Sequence, residues 1–265
     1  MLGAIIGDLA GSIYEFNQTK FVKKIKIKNI IENNSFFSDD TILTIAIADA
    51  ILNNCKYEEK LKEYALNYEN LTSNLKPYFE KMFSPSFLKW AKGNFEGYSS
   101  GNGAMMRISP VGYLFNSEKE VLNNAYLATI PSHNSEEAIK CAQIVTSIIF
   151  YARQGLTKKE IVTKLNLKIK KPVVKKFNYT CATTIDLCLF SLFEAKSFDD
   201  SIRKAISFGG DTDTNACIVG SMAEAMYGID EKLKEQALKK LPVEFVDILN
   251  RCYSEIDKNI DKVKN

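Results

Sequence analysis

Phe208-Gly209-Gly210-Asp211-Thr212-Asp213-Thr214-Asn215 joins two stretches patterned as helices, and its reading decides the fold. Upstream, Phe198 to Ser207 is amphipathic, and Gly209-Gly210 stops it because glycine readily takes the left-handed conformation that ends helices. Downstream, Asn215 to Tyr227 is apolar and rich in small residues until Gly228. Asp211, Asp213 and the Thr214 hydroxyl therefore crowd the start of a helix that reads as buried. Oxygen donors at this density suit a hard cation, Mg²⁺ or Mn²⁺, better than zinc. The competing reading is an aspartate cap placed at the positive end of the helix dipole.

The same chemistry occurs a second time. Phe37-Ser38-Asp39-Asp40-Thr41 precedes Ile42 to Leu52, a run apolar on almost every side and so a core helix. Burying carboxylates at two such helix starts costs several kcal/mol each unless cations pair them. A third signal lies at the N-terminus, where Met1 to Phe16 reads as one helix with Gly3, Gly7 and Gly11 on a common stripe. Glycine weakens a helix, so the stripe points to close approach of another helix or a ligand. Asp8 and Glu15 fall two turns apart on one face of that helix. A carboxylate in such apolar surroundings is either paired or functional, and Glu15 is a candidate catalytic residue.

With 265 residues and 46% hydrophobic content, the chain can fill a full core, and no Pro/Gly/Ser-rich linker divides it. The expectation is one domain over 1–265. A net charge of +3 does not mark a nucleic-acid binder. The runs Lys23-Lys24, Lys170-Lys171 and Lys175-Lys176 read as solvated loops, with a weak anion-binding role open for 168–176. Six cysteines without a Cys-x-x-Cys pair read as reduced core residues of a cytoplasmic protein. The apolar N-terminus carries Asp8 and lacks a basic region, unlike a signal peptide, and no stretch is long enough to span a membrane. A single histidine, His133, removes zinc sites built on two imidazoles.

Strand signals are few and no repeat is evident, so the class is all-α. Residues 17–36 read as an irregular or short extended excursion, and Tyr57 to Asn70 as an exposed amphipathic helix. Ser84-Pro85 caps a short helix carrying Trp90, and Ser117-x-x-Glu120 and Thr157-x-x-Glu160 are capping boxes. Further helices fall near 118–129, 134–153, 158–166, 181–195, 198–208, 214–227, 230–240 and 243–257. Between them lies Gly97-Tyr98-Ser99-Ser100-Gly101-Asn102-Gly103-Ala104-Met105-Met106-Arg107, whose glycines let backbone N–H groups converge on an anion, or else form an ordinary turn. His133, beside Ser132 at the head of the next long helix, is a cap, a packed imidazole or the one titrating group near neutrality.

Taken together, Leu2 to Gly11, Tyr14-Glu15-Phe16, Phe37 to Thr41, Gly101 to Arg107, Ser132-His133 and Gly209 to Thr214 resemble the ADP-ribosylglycohydrolase family in order and wide spacing. The resemblance implies an all-α, single-domain fold with two Mg²⁺ ions (or Mn²⁺) at the bottom of a cleft. It implies metal ligation by Ser38, Asp39, Asp40, Asp211, Asp213 and Thr214, with serine at 38 where the family usually has threonine. Glu15 matches a carboxylate implicated in catalysis, with Asp39 and Asp213 as metal-bound partners in that chemistry. Ser99, Ser100, Gly101, Asn102, Gly103 and Met105 would hold the diphosphate and riboses, with His133 lining the same site. The implied activity is removal of mono-ADP-ribose from a protein side chain or another conjugate, by cleavage at C1″ of the ribose. ADP-ribose is then the product, a nucleic acid enters only as an ADP-ribosylated acceptor, and monomer is the default state. Two alternatives are a metal-dependent hydrolase of another nucleotide conjugate and a non-catalytic ADP-ribose-binding protein.

Overall fold

The structure is a computed structural model, and it describes residues 1–15, 22–71, 82–93 and 96–264, with side chains to residue 258. Its helices, in chain order, are α1 (Leu2–Gly11), α2 (Asp39–Leu52), α3 (Tyr57–Asn67), α4 (Pro85–Lys92), α5 (Gly103–Met106), α6 (Ser109–Leu114) and α7 (Glu118–Thr129). They continue with α8 (Glu136–Arg153), α9 (Lys158–Lys164), α10 (Cys181–Phe193), α11 (Phe198–Ser207), α12 (Thr212–Tyr227), α13 (Glu231–Leu238) and α14 (Val243–Lys264). The described residues contain no strand, only isolated bridges pairing Tyr98 with His133 and Gly101 with Thr180. The all-α expectation therefore holds.

The centre is α12, buried at every position from Thr212 to Ala223. A helix apolar around its whole circumference needs neighbours on all sides, and α1, α5, α8, α10 and α11 supply them. The glycine stripe explains the closest of these contacts. A Cβ on Gly3, Gly7 or Gly11 would lie 2.3, 2.0 or 2.3 Å from the carbonyl oxygens of Gly220, Ala216 and Thr212. Bare backbone on α1 thus lies directly against backbone on α12, and the Thr212 hydroxyl donates to the Gly11 carbonyl at 2.9 Å. Helix α2, buried from Asp40 to Ala50, packs beside α1.

Local signals act as expected at many ends. Gly209 and Gly210 adopt φ of 72° and 81° after α11, both capping boxes form, and Ser84 caps α4 with Pro85 in its first turn. Three expectations need correction. The first helix ends at Gly11, not Phe16: Ser12 takes the cap, and Tyr14 N–H turns back to the Gly11 carbonyl at 3.0 Å. Glu15 therefore does not share a helical face with Asp8, and Phe16 lies outside the described residues. The stretch after the glycines, which the helix bounds above leave out, forms two short helices, α5 and α6; Pro110 opens α6, and Tyr113 Oη–H pins it to the Ser221 carbonyl on α12 at 3.0 Å. Helix α14 runs to Lys264 instead of 257.

Candidate active site

Asp8, in the middle of α1, is fully buried and organises the start of α2. Its Oδ2 accepts from Ser38 N–H at 2.8 Å, Thr41 N–H at 3.1 Å and the Thr41 hydroxyl at 2.5 Å; its Oδ1 accepts from the Ser38 hydroxyl at 2.8 Å. These are first-turn donors that a helix cannot satisfy internally. One carboxylate from another helix satisfies them, while Ser38 Oγ caps Asp40 N–H at 3.2 Å. With α2 fixed this way, Asp40 faces the N-terminus of α12, where Thr214 Oγ1–H donates to Asp40 Oδ2 at 3.3 Å. Asp40 Oδ1 is buried and has no hydrogen-bond partner.

The capping explanation fails for the second cluster. Asp211 occupies the N-cap of α12, yet its side chain makes no cap hydrogen bond. It accepts instead from Asn102 Nδ2 at 2.7 Å. Oxygens of Asp8, Asp40 and Asp213 come within 4.8 Å of one another, and so do those of Glu15, Asp211 and Asp213. The two groups meet at Asp213.

Burial pushes all of these carboxyls up. Asp8 reaches only about 6, because its bonds to Ser38 and Thr41 favour the charged form. Glu15 reaches about 8, through burial and then the charge of Asp211. Asp39 also reaches about 8, through burial and then Asp8 and Asp211. Asp40 and Asp213 are pushed well above the carboxylate range by burial, with neighbouring carboxylates adding to it. Six carboxyls in this space cannot all ionise against one another without positive charge. An orphaned Asp40 oxygen, two all-oxygen groups and two hydroxyls are the donor chemistry of a hard divalent cation.

The glycine-rich segment forms the opposite wall. Bridges tie it to His133 and Thr180, and Asn102 N–H donates to the Tyr179 carbonyl at 2.7 Å. Beneath it, fully buried Arg107 donates from Nη2 to Ser132 Oγ at 2.7 Å, and Ser132 Oγ lies 2.7 Å from His133 Nδ1. Arginine can only donate, so Ser132 accepts from it, and Nδ1 is the atom in hydrogen-bond reach that can take the Ser132 hydrogen. The imidazole is then neutral with its proton on Nε2. Burial, helped by the Arg107 charge, holds its pKa well below the usual histidine value. His133 is the one histidine of the chain, so a single imidazole signal in ¹⁵N NMR should show an Nε2–H tautomer that does not titrate from pH 6 to 8. Ser132→Ala should mix the tautomers, read from the same signal.

A cleft of about 500 Å³ opens between these walls, lined by Glu15, Ser38, Asp39, Asp40, Asp211, Asp213 and Thr214 on one side and by Gly101, Asn102, Gly103 and His133 on the other. The ADP-ribosylglycohydrolase sequence pattern matches residues 1–262. The chain belongs to that family. Members of it hydrolyse ADP-ribosyl groups, and this chain is an enzyme of that hydrolase type. It is 21% identical to the ADP-ribosylarginine hydrolase Tri1 of Pseudomonas putida over 93% of this chain and 76% of that protein. It is also 21% identical to the ADP-ribosylhydrolase ARH3 of Danio rerio, over 87% and 82% of the two chains. A solved ADP-ribosylglycohydrolase-related protein complex superposes with a TM-score of 0.69 at 17% identity, covering 96% of this chain and 97% of its counterpart.

The structure gathers most of the residues that the family resemblance singles out. Ser38, Asp40, Asp211, Asp213 and Thr214 converge, and Glu15 reaches them from the turn after α1. Asp39 lines the cleft but belongs to neither close oxygen group. Ser99, Gly101, Asn102, Gly103 and His133 line the cleft. Met105 is fully buried in the core, and its neighbour Met106 lines the cleft instead. Ser100 offers its carbonyl to Cys181 N–H at 2.9 Å. Asp8 is the residue missing from the expected ligand set. Its signal was present, a carboxylate on a glycine-striped apolar helix, but only the fold brings it against Asp40 and Asp213.

Proposed function

We propose that the protein is a Mg²⁺-dependent hydrolase that releases mono-ADP-ribose from a modified acceptor by cleaving the bond at C1″ of the ribose. The observation that carries this reading is the pair of oxygen groups, Asp8/Asp40/Asp213 and Glu15/Asp211/Asp213, meeting at one aspartate. Ser38, Asp39, Asp40, Asp211, Asp213 and Thr214 would hold two divalent ions, with Asp8 completing the first group. Such ions would supply the positive charge that aligns vicinal ribose hydroxyls and lowers the pKa of a water.

The chain's own residues do the rest. Glu15, beside the second oxygen group and on the cleft wall, is placed to move a proton between water and leaving group. Asn102 orients Asp211, and the glycine-rich wall from Ser99 to Gly103 presents backbone to the diphosphate and riboses. His133 offers Nε2–H to the same ligand. Next to the cleft, a cavity of about 510 Å³ shares Phe87, Ser99 and His133 with it and adds Trp90 and Tyr98. Its aromatic walls suit the adenine, and Tyr98, 67% exposed, is best placed to stack on it. This reading takes the enzyme as a cytoplasmic monomer. Its cysteines are free, and no helix among the described residues is long and apolar enough to cross a membrane.

A panel of Arg-, Ser- and Glu-linked mono-ADP-ribosyl peptides and ADP-ribosylated DNA, followed for free ADP-ribose, tests the reading. Release from one linkage, lost with EDTA and in Glu15→Ala, is the expected result. AMP or phosphate as product instead would point to a different conjugate.

A second expected outcome concerns pH. In the folded chain Glu15 and Asp39 keep their protons up to about pH 8, whereas unfolded carboxylates release theirs near pH 4. Between these values the native state binds more protons, so stability falls as pH rises. The melting temperature of the EDTA-treated protein should therefore drop between pH 5 and 8. A fixed Mg²⁺ concentration, a hundred times the Kd at pH 8, should restore about 2.7 kcal/mol, or about 5–10 °C, at pH 8 and less at pH 5, where protons compete for the same oxygens. A metal increment that is absent or independent of pH would count against the cation site.

A further inference from the structure

Apart from the aromatic cavity, with which it has no lining residue in common, another cavity of about 420 Å³ shares Asp211 with the cleft. Its rim is the segment between α9 and α10, which contributes Lys170, Lys171, Lys175 and Lys176; Asn178 and Thr183 add neutral polar groups. The segment forms neither helix nor strand. Leu167, Ile169 and Val174 pack it onto the core, while its lysines are exposed. The chain has no acidic residue from Ile161 to Ile185, and six lysines fall between Lys164 and Lys176, more charge than the whole protein's net +3. The rest of the protein is therefore net negative. Among the described residues, none of the four rim lysines has a carboxylate within ion-pair distance. The one carboxylate on this wall besides Asp211 is Asp186. Where cleft and rim meet, Tyr179 is 63% exposed and lines the cleft, its backbone carbonyl tied to Asn102 N–H at 2.7 Å.

We propose that this rim receives the acceptor, and that the acceptor is a single-stranded nucleic acid bearing the ADP-ribosyl group. The proposal rests on the function proposed above for the acceptor's place beside the ribose. The two flanks of the cleft differ in chemistry: aromatic walls on one, unpaired lysines on the other. A base belongs on the first. The second fits an anion, and the four lysines surround a single cavity instead of scattering over the surface. A phosphodiester strand carries one charge per nucleotide whatever its sequence, whereas a peptide matches that density only in an acidic run. Lysines along a groove with an exposed aromatic ring at its end form the combination that binds single strands without sequence preference.

The test uses the full chain and a fluorescein-labelled single-stranded oligodeoxythymidylate, read by anisotropy, with free ADP-ribose affinity measured separately by calorimetry. Wild-type affinity for the oligonucleotide should fall with salt, with a log–log slope of about −3 for four phosphate contacts. The quadruple variant Lys170→Gln, Lys171→Gln, Lys175→Gln, Lys176→Gln should lose at least tenfold in affinity at low salt and flatten that slope. Its affinity for ADP-ribose should be unchanged, and Tyr179→Ala should lose several-fold on the oligonucleotide. Equal oligonucleotide binding by wild type and quadruple variant would overturn the proposal. So would an equal loss of ADP-ribose affinity, which would assign the lysines to the diphosphate, or tighter binding of a polyglutamate peptide than of the oligonucleotide. Failure of the wild type to bind ADP-ribose would instead sink the function proposed above, because the oligonucleotide measurement is independent of it.

Discussion

Asp213→Asn should abolish turnover, lowering kcat/KM on the order of 10³-fold or more, while raising the melting temperature of the metal-free protein. Asp213 is the one residue common to both oxygen groups, so its replacement disturbs both candidate ion sites at once. A neutral amide neither pairs with a divalent ion as a carboxylate does nor supports the charge distribution on which such catalysis depends. Stability should move the other way. Burial, and then Glu15 and Asp40, push the Asp213 carboxyl well above the usual range, so holding it in the fold without a cation costs stability at neutral pH. Asparagine keeps the shape and can still accept Thr214 N–H, a contact of 2.9 Å in the native chain, without the charge. Turnover and thermal melting of the same preparation check both directions. Full activity, or a melting temperature that falls in EDTA, would contradict the account.

The second large effect is structural. Gly7→Ala should cost more than the 1–3 kcal/mol usual for overpacking. The added methyl would lie 2.0 Å from the Ala216 oxygen, 2.3 Å from its carbonyl carbon and 2.5 Å from Cys217 N. All three are backbone atoms of a buried helix and cannot swing aside as a side-chain tip can. Gly155→Ala is the control: nothing lies within 4 Å of its added methyl, and only its φ of +84° is unfavourable, a cost of about 1–2 kcal/mol. Urea unfolding of the two variants should separate them clearly. Because α1 carries Asp8 and α12 carries Asp213, the Gly7 variant should also lose Mg²⁺-dependent stabilisation.

These two variants also show what the sequence made legible. The glycine stripe and the two acidic helix starts could be read because each is local: the spacing of Gly3, Gly7 and Gly11, or Ser38 through Asp40, carries its meaning within a few turns. The partner of the stripe was not readable, since nothing near Gly7 names Ala216. Glu15 is legible as a candidate, but its placement is not. Helical patterning runs on through Ser12, whereas the chain turns there and brings Glu15 to Asp211. Met105 and Met106 were indistinguishable by pattern, because a one-turn helix after Asn102 decides which of them faces the cleft. Arg107 closes a segment that carries the family resemblance, but nothing in the sequence shows what its guanidinium contacts. Its link through Ser132 to His133 spans the interval from α5 to the head of α8, and only the packing of those elements reveals which ring nitrogen holds the proton.

The packing of α1 against α12 has a consequence for biosynthesis. Gly11 and Thr212, joined by a hydrogen bond, stand 201 positions apart, and every group of the acidic cluster straddles that gap. At about 5–20 residues per second, roughly 10–40 s separate the emergence of the two helices from the ribosome. During that interval the bare backbone of α1 has no docking surface, and Asp8 has at most its α2 contacts. The acidic cluster is thus among the last features a nascent molecule can complete, so a truncated translation product would hold the first acidic helix start and lack the second.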